Sequence, residues 1–369
     1  MTNFTKNGIR TINFTLFKKD IKKLRSEWQD YVKNIPDYTA SKFNGKGIVM
    51  CAGKVNYFTC CWISIKVLRK KKCSLPIEVW YIDDELSIDA KEALHKMNVV
   101  CKNASDYTTE RIEGYALKPF SIINSSFSDV LYLDADNICL ENPEELFSSR
   151  EYKRFGAIFW PDLWKTEFSN PIWEIVGMEP TNSPEQESGQ LLINKEKCWK
   201  ELNLCRFFNT RGNVYYRLLY GDKDTFRFAW LALKKEFYMV EKNVSICGYE
   251  DDKSNFYGVT MIQHLGDRPF FLHRNLLKWD ITLLEEKVWK KIKQFDSNSI
   301  SKTIVLQKNY EVGHNYLDIE GSYETIMCNN VIQDLEETCL QILKQLRKSS
   351  FYGKFLNFCY IVEKRSNKY

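Results

Sequence analysis

A chain of 369 residues can bury a substantial core and fits one large domain or two ordinary ones. Aromatic residues make up 14% of it, with ten Trp, which excludes a disordered chain. The 53 basic residues stand against 48 acidic ones, a net charge of +5. That near balance argues against nucleic-acid binding, which wants a concentrated basic stripe, and the run Arg69–Lys72 reads as a solvated helix end.

Along the chain, residues 14–35 carry Phe14, Leu16, Phe17, Ile21, Leu24, Trp28 and Val32 at helical spacing, which predicts an amphipathic helix laid on the main body. The N-terminal residues have charges every few positions and no apolar core of signal length. No apolar run reaches the ~20 residues that span a bilayer, so a soluble, cytoplasmic protein without a membrane anchor is expected. The twelve cysteines include no Cys-x-x-Cys, which argues against zinc, and most lie in apolar runs, as reduced buried thiols do. In that compartment the glycan-acceptor tripeptides at Asn103, Asn124 and Asn243 carry no meaning.

GIVMCAG, residues 47–53, is an apolar run closed by Gly and reads as a first buried strand entering a ligand loop. A helix over 57–70 leads to IEVWYIDD, residues 77–84, a second strand ending in Asp83 and Asp84. A helix near 88–97, a strand at 99–101 and a helix over KPFSIINSSF feed the run VLYLDADNICLENPEELF, residues 130–147. FGAIFW, 155–160, and GQLLINK, 189–195, add strands, a helix follows near 214–220, and GDKDTFRFAWLAL, 221–233, reads as a helix with an acidic start. This rhythm predicts an α/β fold with a mixed, mostly parallel central sheet flanked by helices. Beyond residue 281, charged helices are expected to alternate with a strand at 303–306. The helix at 330–348 bears a stripe of Ile332, Leu335, Leu340, Leu343 and Leu346 that needs a partner, either the body of the protein or a second copy in a homodimer.

In the run 130–147, Val130, Tyr132, Asp134 and Asp136 share one face at the strand's period of two. Two carboxylates then converge at the carboxyl end of a buried strand, where open α/β sheets bind ligands. Paired oxygens there suit Mg²⁺ or Mn²⁺, which in turn hold a diphosphate. A calcium loop of the EF-hand type fails, because Ile138 and Cys139 stand where an oxygen ligand and Gly are required. A phosphatase of the haloacid-dehalogenase type, with Asp134 as nucleophile, wants Thr at Ile138 and its motif near the N-terminus, so it is the weaker enzyme reading. A catalytically silent nucleotide-sugar-binding module is a third reading. Two of the four histidines, His264 and His273, fall in TMIQHLGDRPFFLHRNLLKW, residues 260–279, and either would complete a ligand set with the two Asp.

The order of these motifs, a strand with a Gly loop, a second strand ending in acids, Asp-x-Asp, SGQLLINK, GDKDTF and FLHRNLLKW, resembles the fungal-type α-mannosyltransferases of glycosyltransferase family 71. Those enzymes are distantly similar to the retaining glycogenin-type transferases. The resemblance covers residues 46–280 and implies a GT-A catalytic domain there, with a helical extension at 1–45 and a mostly helical one at 281–369. It implies a nucleotide-sugar donor, GDP-mannose first and a UDP-sugar as the alternative, Mn²⁺ or Mg²⁺, a glycan or glycoprotein acceptor, and an α linkage made with retention. By position it implies Asp134 and Asp136 as metal ligands, with His273 third and His264 as the alternative. Cys51, Ala52 and Gly53 would line the base and ribose, Asp83 or Asp84 would lie near the nucleotide, and Lys118 would reach the phosphates. Glu187, Ser188, Gly189 and Gln190 would stand beside the anomeric carbon, and Asp222 and Asp224 would bond sugar hydroxyls. Retention by front-face attack and retention through a covalent intermediate on Glu187 both stay open.

Overall fold

A computed structural model of the chain describes residues 2–4, 8–112, 114–296, 302–309 and 313–366. Its apolar runs assemble into a seven-stranded sheet, in the order Tyr238–Met239, Ala157–Pro161, Gln186–Asn194, Asp129–Asp134, Lys46–Cys51, Ile77–Tyr81 and Val99–Asn103. Lys46–Cys51 pairs in parallel with Asp129–Asp134 and with Ile77–Tyr81, which pairs in parallel with Val99–Asn103. Gln186–Asn194 runs antiparallel to both its neighbours. The sheet is therefore mixed and mostly parallel, as the alternating pattern predicts. Successive side chains feed opposite cores: Ile48 and Met50 join the one beneath helix Lys54–Lys70, and Val49 joins the one beneath Leu117–Asn124 and Trp199–Thr210.

A second, antiparallel sheet runs Lys302–Asn309, His314–Gly321, Phe256–Leu265, Ser245–Glu250, Lys291–Phe295 and Tyr323–Met327. This corrects the expectation of charged helices after residue 281. The charges there alternate with inward residues such as Ile292, Ile304, Leu317 and Ile319, a period-two pattern whose dense Lys and Glu imitate a solvated helix. The joint between the sheets is strand Arg268–His273, which pairs with Phe256–Leu265 on one side and with the short strand Asn137–Cys139 on the other.

The two ends of the chain close over these sheets. Helix Lys18–Lys33 buries Ile21 and Trp28, and the Trp28 indole donates to the carbonyl of Ile175 at 2.9 Å. Helix Asn330–Lys348 turns its stripe of Ile332, Leu335, Leu340, Leu343 and Leu346 inward toward helix Lys54–Lys70, so the stripe finds its partner within the chain. Phe355 of the last helix, Ser350–Ser366, packs on Phe58 with ring centroids 4.6 Å apart. All twelve cysteines are free thiols. Among the described residues no helix is long and apolar enough to cross a membrane.

Candidate metal and donor site

Strand Asp129–Asp134 ends at Asp134, and Asp136 lies in the turn that follows. A shared strand face therefore does not aim Asp136. Strand pairing does: the register sets His273 opposite Asn137, so Asp136 and the imidazole become neighbours, and the amide of Arg274 donates to the Asp136 carbonyl at 3.0 Å. Asp134, Asp136 and His273 each offer a ligand atom, and these atoms all lie within 4.8 Å of one another. No other such cluster occurs among the described residues.

His273 is held from both sides. Its Nε2 is 3.1 Å from Asp136 Oδ1 and 3.8 Å from Asp134 Oδ2, while its Nδ1 is 3.1 Å from Glu187 Oε1. Burial opposes a charge on this imidazole, but the Glu187 and Asp136 carboxylates outweigh it and hold the pKa well above the ordinary value. Gly189 makes this approach feasible, because a Cβ there would stand 2.5 Å from His273 Nδ1 and 3.0 Å from Glu187 Oε2. Glu187 is itself fixed, accepting from the Gly189 amide at 2.9 Å and from Gln190 Nε2 at 2.8 Å. Against its burial, His273 and Lys118 hold its carboxyl below the usual range.

Lys118 anchors the other flank. Its buried ammonium is 3.1 Å from Asp134 Oδ1, 3.1 Å from Asp222 Oδ2 and 2.8 Å from Ser188 Oγ. Burial disfavours that charge, yet Asp134 and Asp222 overcome it and raise the pKa. Lys278 closes the ring on Asp136 by an ion pair, with its ammonium 5.0 Å from the centre of the Tyr57 ring. The linked set thus holds four carboxylates, Asp134, Asp136, Glu187 and Asp222, against two ammonium groups. With His273 neutral, two negative charges remain uncompensated, which matches one divalent cation.

The other expected residues fall in five places. Ser188, Gly189 and Gln190 lie in this cluster, on strand Gln186–Asn194 where its register slips. Asp224 belongs instead to an adjoining buried network: its carboxylate accepts from Arg227 Nε and from the Gln186 amide, and no direct contact joins it to the ligand cluster among the described residues. There Arg10 is 2.6 Å from Glu185, Lys223 bridges Glu185 and Asp162, and Arg227 is 2.7 Å from Asp224. Cys51 ends the first central strand, Ala52 and Gly53 lead from it into helix Lys54–Lys70, and a Cβ at Gly53 would collide with the Glu85 carboxylate. Burial pushes the Cys51 thiol up to about 12, which disfavours its thiolate. Asp83 and Asp84 are exposed on the turn after Ile77–Tyr81, where Asp83 accepts from the Ser105 hydroxyl. His264 lies outside the ligand cluster, opposite Pro269, with burial lowering its pKa to about 4.

Sequence reasoning missed Lys278, Tyr132 and Asn137. Tyr132 donates to Asp134 Oδ1 at 2.9 Å, and its place on the same strand face was a usable signal. Asn137 donates to Gln190 Oε1 at 2.7 Å and to the Gly189 carbonyl at 2.8 Å, tying the two halves of the site together. Lys278 is the single lysine of the same FLHRNLLKW segment, but only the fold shows that it turns to Asp136.

Comparison with known proteins places this geometry in a family. Residues 45–186 and 180–265 match the Mannosyl_trans3 mannosyltransferase family, and the chain belongs to it. Alpha-1,2-mannosyltransferase MNN23 of Candida albicans is 26% identical over 352 residues, covering 79% of this chain and 56% of that protein. Alpha-1,2-mannosyltransferase MNN24 of the same organism is 32% identical over 298 residues, with coverage of 66% and 42%. MNN2 of Saccharomyces cerevisiae, of the same description, is 28% identical over 299 residues, with coverage of 66% and 50%. The chain thus spans about half the length of the curated relatives it matches. Among solved structures, the galactosyltransferase LgtC with donor and acceptor sugar analogues aligns at a TM-score of 0.36 and 15% identity, over 52% of this chain and 73% of that one.

Proposed function

We propose that this protein is a metal-dependent retaining glycosyltransferase of GT-A type that moves mannose from GDP-mannose to a glycan or glycoprotein, forming an α linkage. The observation that carries this reading is the Asp134, Asp136 and His273 cluster, whose surroundings are two charges short of neutrality once the imidazole gives up its proton to a cation, in a member of a mannosyltransferase family. Two carboxylates and an imidazole suit Mn²⁺ or Mg²⁺, with the nitrogen favouring Mn²⁺. When bound, such an ion supplies Lewis-acid stabilisation of the charge that builds on a departing diphosphate.

The chain's own residues divide the remaining work. Glu187 orients His273 through Nδ1, leaving Nε2 toward the two Asp, the carboxylate–histidine arrangement that fixes a ligand's tautomer. With its oxygens also engaged by the Gly189 amide and Gln190, Glu187 reads as a positioning residue rather than a free nucleophile, which favours front-face attack over a covalent intermediate. Lys118 and Asp222 form a charged pair at the rim of the carboxylates suited to sugar hydroxyls, and Lys278 is the cation placed to meet diphosphate oxygens. Residues 46–280 hold all these groups, which supports reading that stretch as the catalytic part. Relatives named for α-1,2 transfer make that linkage the first to test.

A thermal-shift panel of GDP, UDP and their sugars, with and without Mn²⁺, followed by turnover on an α-mannoside acceptor, tests the reading. GDP with Mn²⁺ should raise the melting temperature together and not separately, since linked ligands stabilise by an amount set by affinity. Stabilisation by UDP alone, or undiminished transfer in excess chelator, would overturn the donor or the metal assignment respectively.

A further inference from the structure

Among the twelve cysteines one pair is set apart. The Sγ atoms of Cys247 and Cys328, 81 positions apart in sequence, lie 3.5 Å from each other, the only hydrogen-bonding contact between two thiols among the described residues. Both are buried, Cys247 completely and Cys328 to 5% exposure. A disulfide holds its sulfurs about 2.05 Å apart, so closure needs a movement of about 1.5 Å shared by two side chains. Each thiol belongs to a different element. Cys247 lies on the interior strand Ser245–Glu250 of the second sheet, and Cys328 follows its edge strand, Tyr323–Met327. The Cys328 amide donates to the Lys290 carbonyl at 2.9 Å, and the next residue, Asn329, caps helix Asn330–Lys348 by accepting from the Ile332 amide.

This helix is tied to the ligand cluster. Its buried Glu336 accepts from the Val288 and Trp289 amides, both at 2.9 Å, and pairs with Arg274 at 3.3 Å. Arg274 directly follows His273, and its amide is the donor to the Asp136 carbonyl. One ion pair therefore links the helix to the backbone that sets His273 beside Asp136. The thiol pair also has a route to solvent. All of Tyr323–Met327 is exposed, Met327 to 62%, and Val331 on the first turn of the helix to 52%, so opening of this edge uncovers Cys328 while the interior strands stay paired. Burial and the neighbouring thiol raise the Cys247 pKa well above its ordinary value, so the first attack on an oxidant falls to Cys328.

We propose that Cys247 and Cys328 form a redox-sensitive pair that closes to a disulfide under oxidising conditions and clamps the start of helix Asn330–Lys348 to the second sheet. With glutathione disulfide as oxidant, the Cys328 thiolate displaces one glutathione, and Cys247 displaces a second from the mixed disulfide. Two protein thiols become one S–S bond as two glutathione thiols leave, each carrying off the proton its attacker has lost. The bond itself is independent of the transferase reading, and its effect on metal binding rests on that reading. The full chain is incubated with glutathione disulfide or with dithiothreitol, digested without reduction and mapped by mass spectrometry. The oxidised sample should yield a peptide linked through Cys247 and Cys328, lose two of its thiols, and melt about 5 °C higher. It should also bind Mn²⁺ about fivefold tighter, the low end of coupling between sites. Cys328→Ser, at the more open end of the pair, should show none of these changes and should match the reduced parent in dithiothreitol. Absence of the linked peptide, glutathione adducts alone, or an equal rise in melting temperature in Cys328→Ser overturns the pair. A linked peptide with unchanged Mn²⁺ affinity overturns the effect on the ligand cluster. If neither sample binds Mn²⁺, the metal assignment fails, while the peptide map and the melting curves still decide the disulfide.

Discussion

Two buried charge clusters lie side by side in this protein, and they are built to opposite rules. In the network of Arg10, Lys223, Arg227, Asp162, Glu185 and Asp224, three cations meet three carboxylates, and Arg227 grips Asp224 with both Nε and Nη2 at 2.7 Å. Lys223 and Arg10 overcome burial there and bring the Glu185 carboxyl down to about 2. The ligand cluster keeps four carboxylates against two ammonium groups and leaves Asp134 with a pKa raised by burial, despite Lys118 and His273. A balanced cluster holds the fold together; one that is two charges short once His273 gives up its proton is suited to a cation. Buried acidity alone does not mark a functional site; the charge imbalance is what sets this cluster apart from its neighbour.

The largest expected effect is on the unbalanced side. Asp136→Ala should remain folded and lose transfer by on the order of a thousandfold or more, because it removes one of three ligand atoms and the partner of both His273 and Lys278. Glu187→Gln should cost less, about 10–100-fold in metal affinity, as expected of a group that orients a ligand. Metal titration and turnover on the same samples check both, and full activity in Asp136→Ala would break the comparison at its root.

Much of the unbalanced cluster was legible in the sequence because its parts are local runs: the Asp-x-Asp, the FLHRN segment and the ESGQ tetrad each stand out where they lie. What brings them together is not local. His273 meets Asp136 through pairing of Arg268–His273 with Asn137–Cys139, a partnership between residues far apart in sequence that no periodicity encodes. The balanced network was less legible for the same reason, since Arg10, Thr166 and Glu185 have nothing in common before the chain folds. Asp222 and Asp224 show the limit clearly: two residues apart in one GDKD loop, one turns to Lys118 and the other to Arg227. The strands after residue 281 were misread because polar alternation on a solvent-facing sheet carries as many charges as a surface helix.

On the balanced side the expected effect is on stability. Arg227→Met strands Asp224 without its cation in a buried site and should cost roughly 3–5 kcal/mol in urea unfolding. Metal affinity of the folded protein should stay within about twofold. A cost below about 1 kcal/mol would mean that the network is dispensable, and the contrast would lose its structural half.

Lys195 tests the rule in a third setting, a buried cation with carbonyls in place of carboxylates. Its ammonium donates to the carbonyls of Ile123 and Ser125 at 3.1 and 2.7 Å, and burial, only partly offset by Glu78, lowers its pKa to about 7. The unfolded chain keeps this proton up to the ordinary lysine range, so between about pH 7 and 10 it binds more protons than the folded one, and stability rises with pH. Lys195→Met should remove that rise, worth about 4 kcal/mol between pH 7 and 10, and gain most below pH 7, where the buried charge costs most. Parallel pH series of the two proteins that stay superimposable would show that carbonyls suffice.

The smallest effect is also the sharpest test of imbalance. Burial raises the Asp134 carboxyl above its ordinary range, with Lys118 and His273 opposing and Asp136 and Asp222 adding to the rise. A folded state that binds this proton more tightly than the unfolded chain pays for the charge at neutral pH, and the cost fades as pH falls through the carboxylate range. In excess chelator, Asp134→Asn should therefore be as stable as the parent or more so at pH 7, by roughly 1 kcal/mol or less, with the advantage shrinking toward pH 4. Added Mn²⁺ should reverse the order, because only the parent gains the full binding energy of the ion. Melting curves that cross between chelator and metal would separate a cation site from a structural ion cluster; a variant that simply loses stability in chelator, as Arg227→Met is expected to, would put Asp134 with the balanced network instead.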